Sequence, residues 1–174
     1  KSLLFLIILG SIPLIIFGLI VYKTGLINYF RNIQVISWTT FVFALILYLA
    51  DKFEVKKKIE ADLNFRSILI IGIFQILALI PGVSRSGIVI TAGRFLNFDR
   101  YDSTKISFYL SIPAIAGASF LGLKDVVNEN IDFNIGILIS IILSFIFSLL
   151  TIKYFLIFVK KFTMNLFIFY MIFL

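Results

Sequence analysis

The chain predicts an all-α fold: a polytopic membrane helix bundle interrupted by one re-entrant helical hairpin. Three observations carry this reading. Of the 174 residues, 61% are hydrophobic and 14% charged, whereas a soluble domain carries about 25% charged residues. Several of the apolar runs approach or reach the roughly 20 residues that cover a hydrocarbon core. Finally, a polar segment, Pro81-Gly-Val-Ser-Arg-Ser-Gly87, separates two apolar runs that are each too short to cross.

Leu3 to Tyr22 is the first span, and Gly10, Pro13 and Gly18 inside it suit close helix packing and a tolerated kink. A polar turn from Lys23 to Asn32 follows, with Tyr29 and Phe30 near the interface. The second span is Val35 to Ala50, where Trp38 reads as an interface anchor. Asp51 to Arg66 is the longest hydrophilic stretch. Its Lys52, Lys56, Lys57, Lys58 and Arg66 mark a solvated cytoplasmic loop under the positive-inside rule. A lipid-headgroup site is the alternative for this loop.

Ser67 to Ile80 and Ile88 to Phe98 reach roughly 21 Å and 16 Å as helices, against a core of about 30 Å. The expected arrangement is a hairpin that dips in, breaks at Pro81-Gly82 and climbs out again. Such a break is tolerated where protein buries it or a wet cavity receives it. A polar turn, Asp99 to Lys105, then precedes a span from Ile106 to about Gly122 containing Pro113 and Gly117. Lys124 to Asn134 is a net acidic loop. Ile135 to Ile152 is an aliphatic span, followed by Lys153, an aromatic stretch and Lys160-Lys161. Phe162 to Leu174 begins one more span. Arg94, Arg100 and Lys105 are basic, so the hairpin should return to the side of the Asp51–Arg66 loop. Two full crossings would satisfy the charges but not the lengths.

Cysteine and histidine are both missing from the sequence. That excludes disulfides, thiolate metal sites and the usual base near neutral pH. The net charge of +7 is scattered over loops and helix flanks, which fits membrane topology better than a nucleic-acid surface.

Arg85 between Ser84 and Ser86 is the centre of the expected chemistry. An intramembrane arginine is costly unless it faces a cavity or an anionic partner, and its planar fork suits phosphate. Arg85 and Ser84 are therefore the candidate catalytic residues. Ser86, Gly87, Gly82, Gln75 and Thr91 are the candidate substrate-binding residues. Ser86-Gly87 is expected to open the outgoing helix, whose positive end would face the same anion. The alternative for Arg85 is a brace between helix ends through backbone carbonyls. Gln75, about two turns before the break, serves either the cavity or interhelical packing. Thr91 is expected to approach the cavity and Arg94 to snorkel to the interface. Ser107, Ser111 and Pro113 line the same space or pack it. All nine acids are read as loop residues: Asp51, Glu54, Glu60, Asp62, Asp99, Asp102, Asp125, Glu129 and Asp132. No metal ligand and no catalytic base is assigned among them.

FQILALIPGVSRSG (Phe74 to Gly87) resembles the second hallmark motif of the bacterial undecaprenyl-diphosphatase, or bacitracin-resistance, family. LGSIPLIIFGLIVY (Leu9 to Tyr22) is similar to that family's Gly-x-x-Pro…Gly span, and SFYLSIPAIAGAS (Ser107 to Ser119) resembles its Ser-Phe-Leu-Leu…Ile-Pro-Ala span. The resemblance covers nearly the whole chain. It implies removal of one phosphate from a C55 isoprenoid diphosphate in the bacterial inner membrane, regenerating the carrier lipid of cell-wall synthesis. It also implies two inverted repeats, each with a re-entrant hairpin. Residues 1–174 then form a single membrane domain: 1–66 end the first repeat and its cytoplasmic loop, and 67–174 form the second repeat with its hairpin at 67–98. By position, Ser84 and Arg85 would contact the diphosphate, Ser86 and Gly87 would shape the pocket, and Gln75 matches a polar position.

The partners so implied are an isoprenoid diphosphate and membrane lipids, with no nucleic acid and with a homodimer left open. A divalent cation, Mg or Ca, is implied as cofactor, with ligands outside this chain. The departures are specific. The family's first motif, EGxTEFLPxSSxGH, is not in this sequence. Val89 stands where the family has threonine, with Thr91 nearby, and Tyr170-Met171 stands where it tends to show Tyr-Arg. Because the chain opens on Lys1 and almost at once enters a span, it is expected to be part of a longer protein; the resemblance implies its C-terminal two-thirds, inactive alone because the first motif is missing. A polyprenyl-phosphate flippase or transporter is the second reading, since broken helices and inverted repeats also build transporters. A structural subunit braced by Arg85 is the third.

Overall fold

A computed structural model describes residues 2–25, 31–53, 55–128 and 135–173, without the side chains of 121 and 124–128. The described residues are helical and form no extended sheet, in agreement with the predicted all-α membrane bundle. Tyr29, Phe30 and residues 129–134 of the acidic loop lie outside the described residues.

α1 (Leu3–Thr24) closes on Gly25 at φ 66°, whose N–H bonds to the Val21 carbonyl at 3.1 Å, a left-handed cap that glycine supplies without strain. α2 (Ile33–Asp51) starts at Asn32, whose side chain accepts from the Gln34 N–H at 2.9 Å. Both are long and apolar enough to cross a membrane, as is α7 (Ile135–Lys161). α7 runs uninterrupted past Lys153, where the sequence suggested a span ending at Ile152. A single helical turn, α3 (Ile59–Asp62), punctuates the hydrophilic stretch.

The hairpin follows. α4 (Phe65–Ile76) is capped by Asn64, tightens into a 3₁₀ turn at Leu77–Leu79, and leaves helical geometry over residues 80–84. α5 (Arg85–Phe95) returns. The Lys56 and Lys57 N–H groups both donate to the Asn97 carbonyl, at 3.0 and 3.1 Å. The chain therefore enters and leaves the hairpin at the same end, as length and charge required. α6 (Arg100–Asn128) begins earlier than the predicted span, because Asp99 accepts from the Asp102 N–H at 2.6 Å and starts the helix in the polar turn. α8 is Asn165–Phe173.

Glycine sets the closest helix approach. A Cβ on Gly72 of α4 would meet the Gly10 carbonyl of α1, and one on Gly10 would lie 2.8 Å from Ile68 Cγ1. Farther along, Gly18 faces Leu79, so α1 and α4 run parallel, backbone near backbone, in the manner of small-residue membrane interfaces. α5 is the central element: every residue from Gly87 to Arg94 is buried. Ile88, Val89 and Ala92 pack with Ile68, Ile106 and Leu110 on one side. Ile90 joins Ala44, Leu47, Met164 and Ile168 on the other. α7, in contrast, buries little besides Val159 and otherwise presents aliphatic side chains outward.

Candidate functional site

The hairpin tip lies against the first half of α2. The Thr39 hydroxyl donates to the Pro81 carbonyl at 2.6 Å, and the Thr40 hydroxyl donates to that of Gly82 at 3.1 Å. The hairpin base meets α2's other end at Asp51. Those points are 12 helical residues apart, or about 18 Å, so the tip stops well inside a core of about 30 Å.

Ser84 is the N-cap of α5, its Oγ accepting from the Gly87 N–H at 3.2 Å. The outgoing helix thus opens at Arg85, one residue before the predicted start at Ser86-Gly87, because a serine hydroxyl satisfies an otherwise orphaned N–H there. Ser84 Oγ and Ser86 Oγ are 3.2 Å apart. Gly87 is buried beneath them, and a Cβ there would lie 3.2 Å from that of Ser84. Gly82 adopts φ 90°, a conformation that side-chain-bearing residues avoid.

Arg85 is half-buried, and its guanidinium makes one hydrogen bond among the described residues, a long one of 3.4 Å from Nη1 to the Ser111 carbonyl. The expected brace between helix ends is therefore weak. Ser84, Arg85 and Ser86 form one partly exposed cluster at the positive end of α5. Ser111 reaches this cluster through its carbonyl, while its hydroxyl donates back to Phe108. Ser107 is buried and packs.

Two candidates sit deeper. The Thr91 hydroxyl is buried and donates to the Gly87 carbonyl at 2.8 Å, so it braces the first turns of α5 and does not extend towards the cluster as expected. Gln75 is 0% exposed, and neither amide atom has a hydrogen-bond partner among the described residues. The interhelical bond expected of a packing amide is not formed. A buried amide in this state favours a polar ligand or water beside it.

Arg94 corrects its expectation outright. It is 2% exposed and does not snorkel. Nη1 donates to the Phe98 carbonyl at 2.8 Å, and Nη2 donates to those of Asp51 and Phe53 at 2.8 and 2.7 Å. Nε lies 3.5 Å from Asp51 Oδ1. The physical reason is the end of α2, whose last carbonyls have no helical donors; the arginine fork supplies them. Arg100 adds two bonds to the Asp51 carboxylate, at 2.6 and 2.9 Å. Reading every acid as a loop residue is corrected too. Asp51 ends α2 and is buried. Asp102 lies in the first turn of α6 and accepts from the Ile59 N–H at 3.0 Å. Glu60 and Asp62 belong to α3, and Asp125 to α6. Glu54, Glu129 and Asp132 lie outside the described residues.

A cavity of ≈ 450 Å³ opens at this base, lined by residues that include Asp51, Arg94, Arg100, Tyr101 and Lys160. Two of its cations, Arg94 and Arg100, are already committed to Asp51. No three acidic, histidine or cysteine side chains converge among the described residues. The described residues do not by themselves form a cage for the implied divalent cation.

The chain as a whole is similar to known proteins. The family model for "Bacitracin resistance protein BacA" matches residues 1–174. A protein of Pelagibacter ubique named undecaprenyl-diphosphatase is 55% identical over 99% of this chain and 68% of its own length. One of the same name from Elusimicrobium minutum is 45% identical over 98% of this chain and 64% of its own length. Another, from Erythrobacter litoralis, is 36% identical, with corresponding shares of 98% and 66%. The chain thus spans about two thirds of the length of these relatives.

Proposed function

The chain belongs to the bacitracin resistance protein BacA family, and from this we propose that it serves as an undecaprenyl-diphosphate phosphatase of the bacterial inner membrane. The reaction breaks the phosphoanhydride bond between the terminal phosphorus and the bridging oxygen. Water supplies the new P–O bond; inorganic phosphate and the lipid monophosphate leave.

The single observation that carries the site assignment is the state of Arg85, a guanidinium with one long hydrogen bond among the described residues. In this reading it takes two non-bridging oxygens of the diphosphate in its fork. Hydroxyls of Ser84 and Ser86 donate to a further oxygen, and the positive end of α5 adds to the field. The same donors favour the transition state, where charge spreads over the transferring phosphoryl group. Phosphate on the bridging side stays attached to a tail long enough to lie among the aliphatic helix faces that the bundle turns outward.

The test is release of inorganic phosphate from undecaprenyl diphosphate by the full-length protein in detergent, where no membrane sidedness exists. Phosphate release that disappears in Arg85→Ala supports the proposal. Tight lipid binding without release indicates a carrier that only moves the lipid, and hydrolysis unchanged in Arg85→Ala removes the guanidinium from the mechanism.

A further inference from the structure

The residues that hold the hairpin tip in place lie on another helix, far away in sequence. Residues 80–84 are non-helical, and inside a membrane bundle the carbonyls so freed need partners from protein or from a wet cavity. No backbone N–H among the described residues reaches the Pro81 or Gly82 carbonyl. The donors are the hydroxyls of Thr39 and Thr40, at 2.6 and 3.1 Å. Each hydroxyl has a single proton: for Thr39 the Pro81 carbonyl is the nearest acceptor, ahead of Val35 and Ile36 at 2.8 and 3.0 Å, whereas Thr40 lies nearer the Ile36 carbonyl, at 2.7 Å. The Val35 and Ile36 carbonyls already receive backbone donors within α2, so the hydroxyl protons are worth most at the tip. The contact is also intimate: a Cβ on Gly82 would strike Thr39 Oγ1 and lie 2.5 Å from the Ile36 carbonyl.

We propose that Thr39 and Thr40 are positioning residues for the diphosphate grip, fixing the place of Ser84, Arg85 and Ser86 by holding the carbonyls of Pro81 and Gly82. The proposal rests on the reading of the tip as the diphosphate site. α2 then acts as a splint for the hairpin, pinned at the base by Arg94 and Arg100 on Asp51 and at the tip by two hydroxyls. Helical rise between the two pins, about 18 Å, sets the depth of Arg85. Only two residues separate Gly82 from Arg85, so a slip of the tip is passed almost undiminished to the guanidinium.

Thr39→Val removes the hydroxyl at nearly constant shape, and Thr39→Ser keeps it. Per mole of folded protein, Thr39→Val is expected to lower kcat for undecaprenyl diphosphate on the order of 10- to 100-fold, the scale of a misplaced catalytic group. KM changes by less than about threefold, because the tail carries most ground-state binding. Thr39→Ser retains turnover within about threefold of the parent, because the hydroxyl is restored. A second readout does not depend on activity. The chain has no cysteine, and Val83 is 8% exposed beside the tip, so a lone thiol introduced by Val83→Cys reports docking. Its alkylation should accelerate in Thr39→Val and stay slow in Thr39→Ser. Unchanged alkylation, or a serine variant as impaired as the valine one, overturns the proposal. If Arg85→Ala is inactive while Thr39→Val turns over normally, the positioning role alone falls. If Arg85→Ala turns over normally, the diphosphate grip is wrong and the positioning role falls with it.

Discussion

The two ends of the hairpin use the same side chain in opposite ways. At the base, Arg94 is buried and spends its fork on three carbonyls and Asp51. At the tip of the same helix, Arg85 makes one hydrogen bond among the described residues, of 3.4 Å. Both are arginines in an apolar setting, and charge alone does not separate them. The inventory of partners does. A guanidinium whose donors are consumed by protein is part of the scaffold, whereas one with donors to spare is the basis of the proposed diphosphate grip.

The largest expected effect tests the tip. Arg85→Ala should reduce phosphate release by about 1,000-fold or more, the scale of a transition-state arginine. Arg85→Lys should recover little of this, since a point charge lacks the paired donors. Rates near the parent's in either variant would erase the difference between the two ends. Next in size, Arg94→Ala should act on stability. It leaves the buried Asp51 and three carbonyls short of donors, a loss of roughly 3–5 kcal/mol, to be read by denaturant unfolding in detergent. If Arg94→Ala folded normally but lost turnover, the base would belong to the active machinery. Ser84→Ala removes the α5 cap and, in the proposed function, a donor to the substrate. It should cost about 1 kcal/mol of stability and lower turnover by about tenfold to 100-fold. The smallest effect is expected from Arg100→Gln, about 1 kcal/mol or less, because this partner of Asp51 is partly exposed and Arg94 remains.

Much of this architecture was readable before any coordinates. Run lengths at 67–80 and 88–98, too short to cross, together with basic residues at 94, 100 and 105, required a hairpin that returns to its own side. The bonds from Lys56 and Lys57 to Asn97 agree with that requirement. Arg85 stood out because a charge flanked by serines and glycines inside apolar sequence has few purely structural uses. Arg94 looked like a residue that reaches the interface, because nothing in AGRFLNF says that the end of another helix lies beside it. Thr39 and Thr40 carry no signal at all in sequence. Threonines in a membrane helix ordinarily bond to their own preceding turn, and for these two those carbonyls also lie within reach. The acids misled for the same reason: Asp51 looked like the edge of a loop and proved to be the buried counter-ion of two arginines.

Helix length, hydropathy and charge placement are properties of consecutive residues, so the linear chain already carries the spans, the re-entrant break and the arginine motif. The partners of a polar group are not. Whether Arg94 meets carbonyls, whether Gln75 is left without a hydrogen bond, and whether α2 holds the tip depend on helices packed from distant segments. Within a low-dielectric bundle those packing choices determine the partners of each buried polar group, and hence which charges remain available to a ligand.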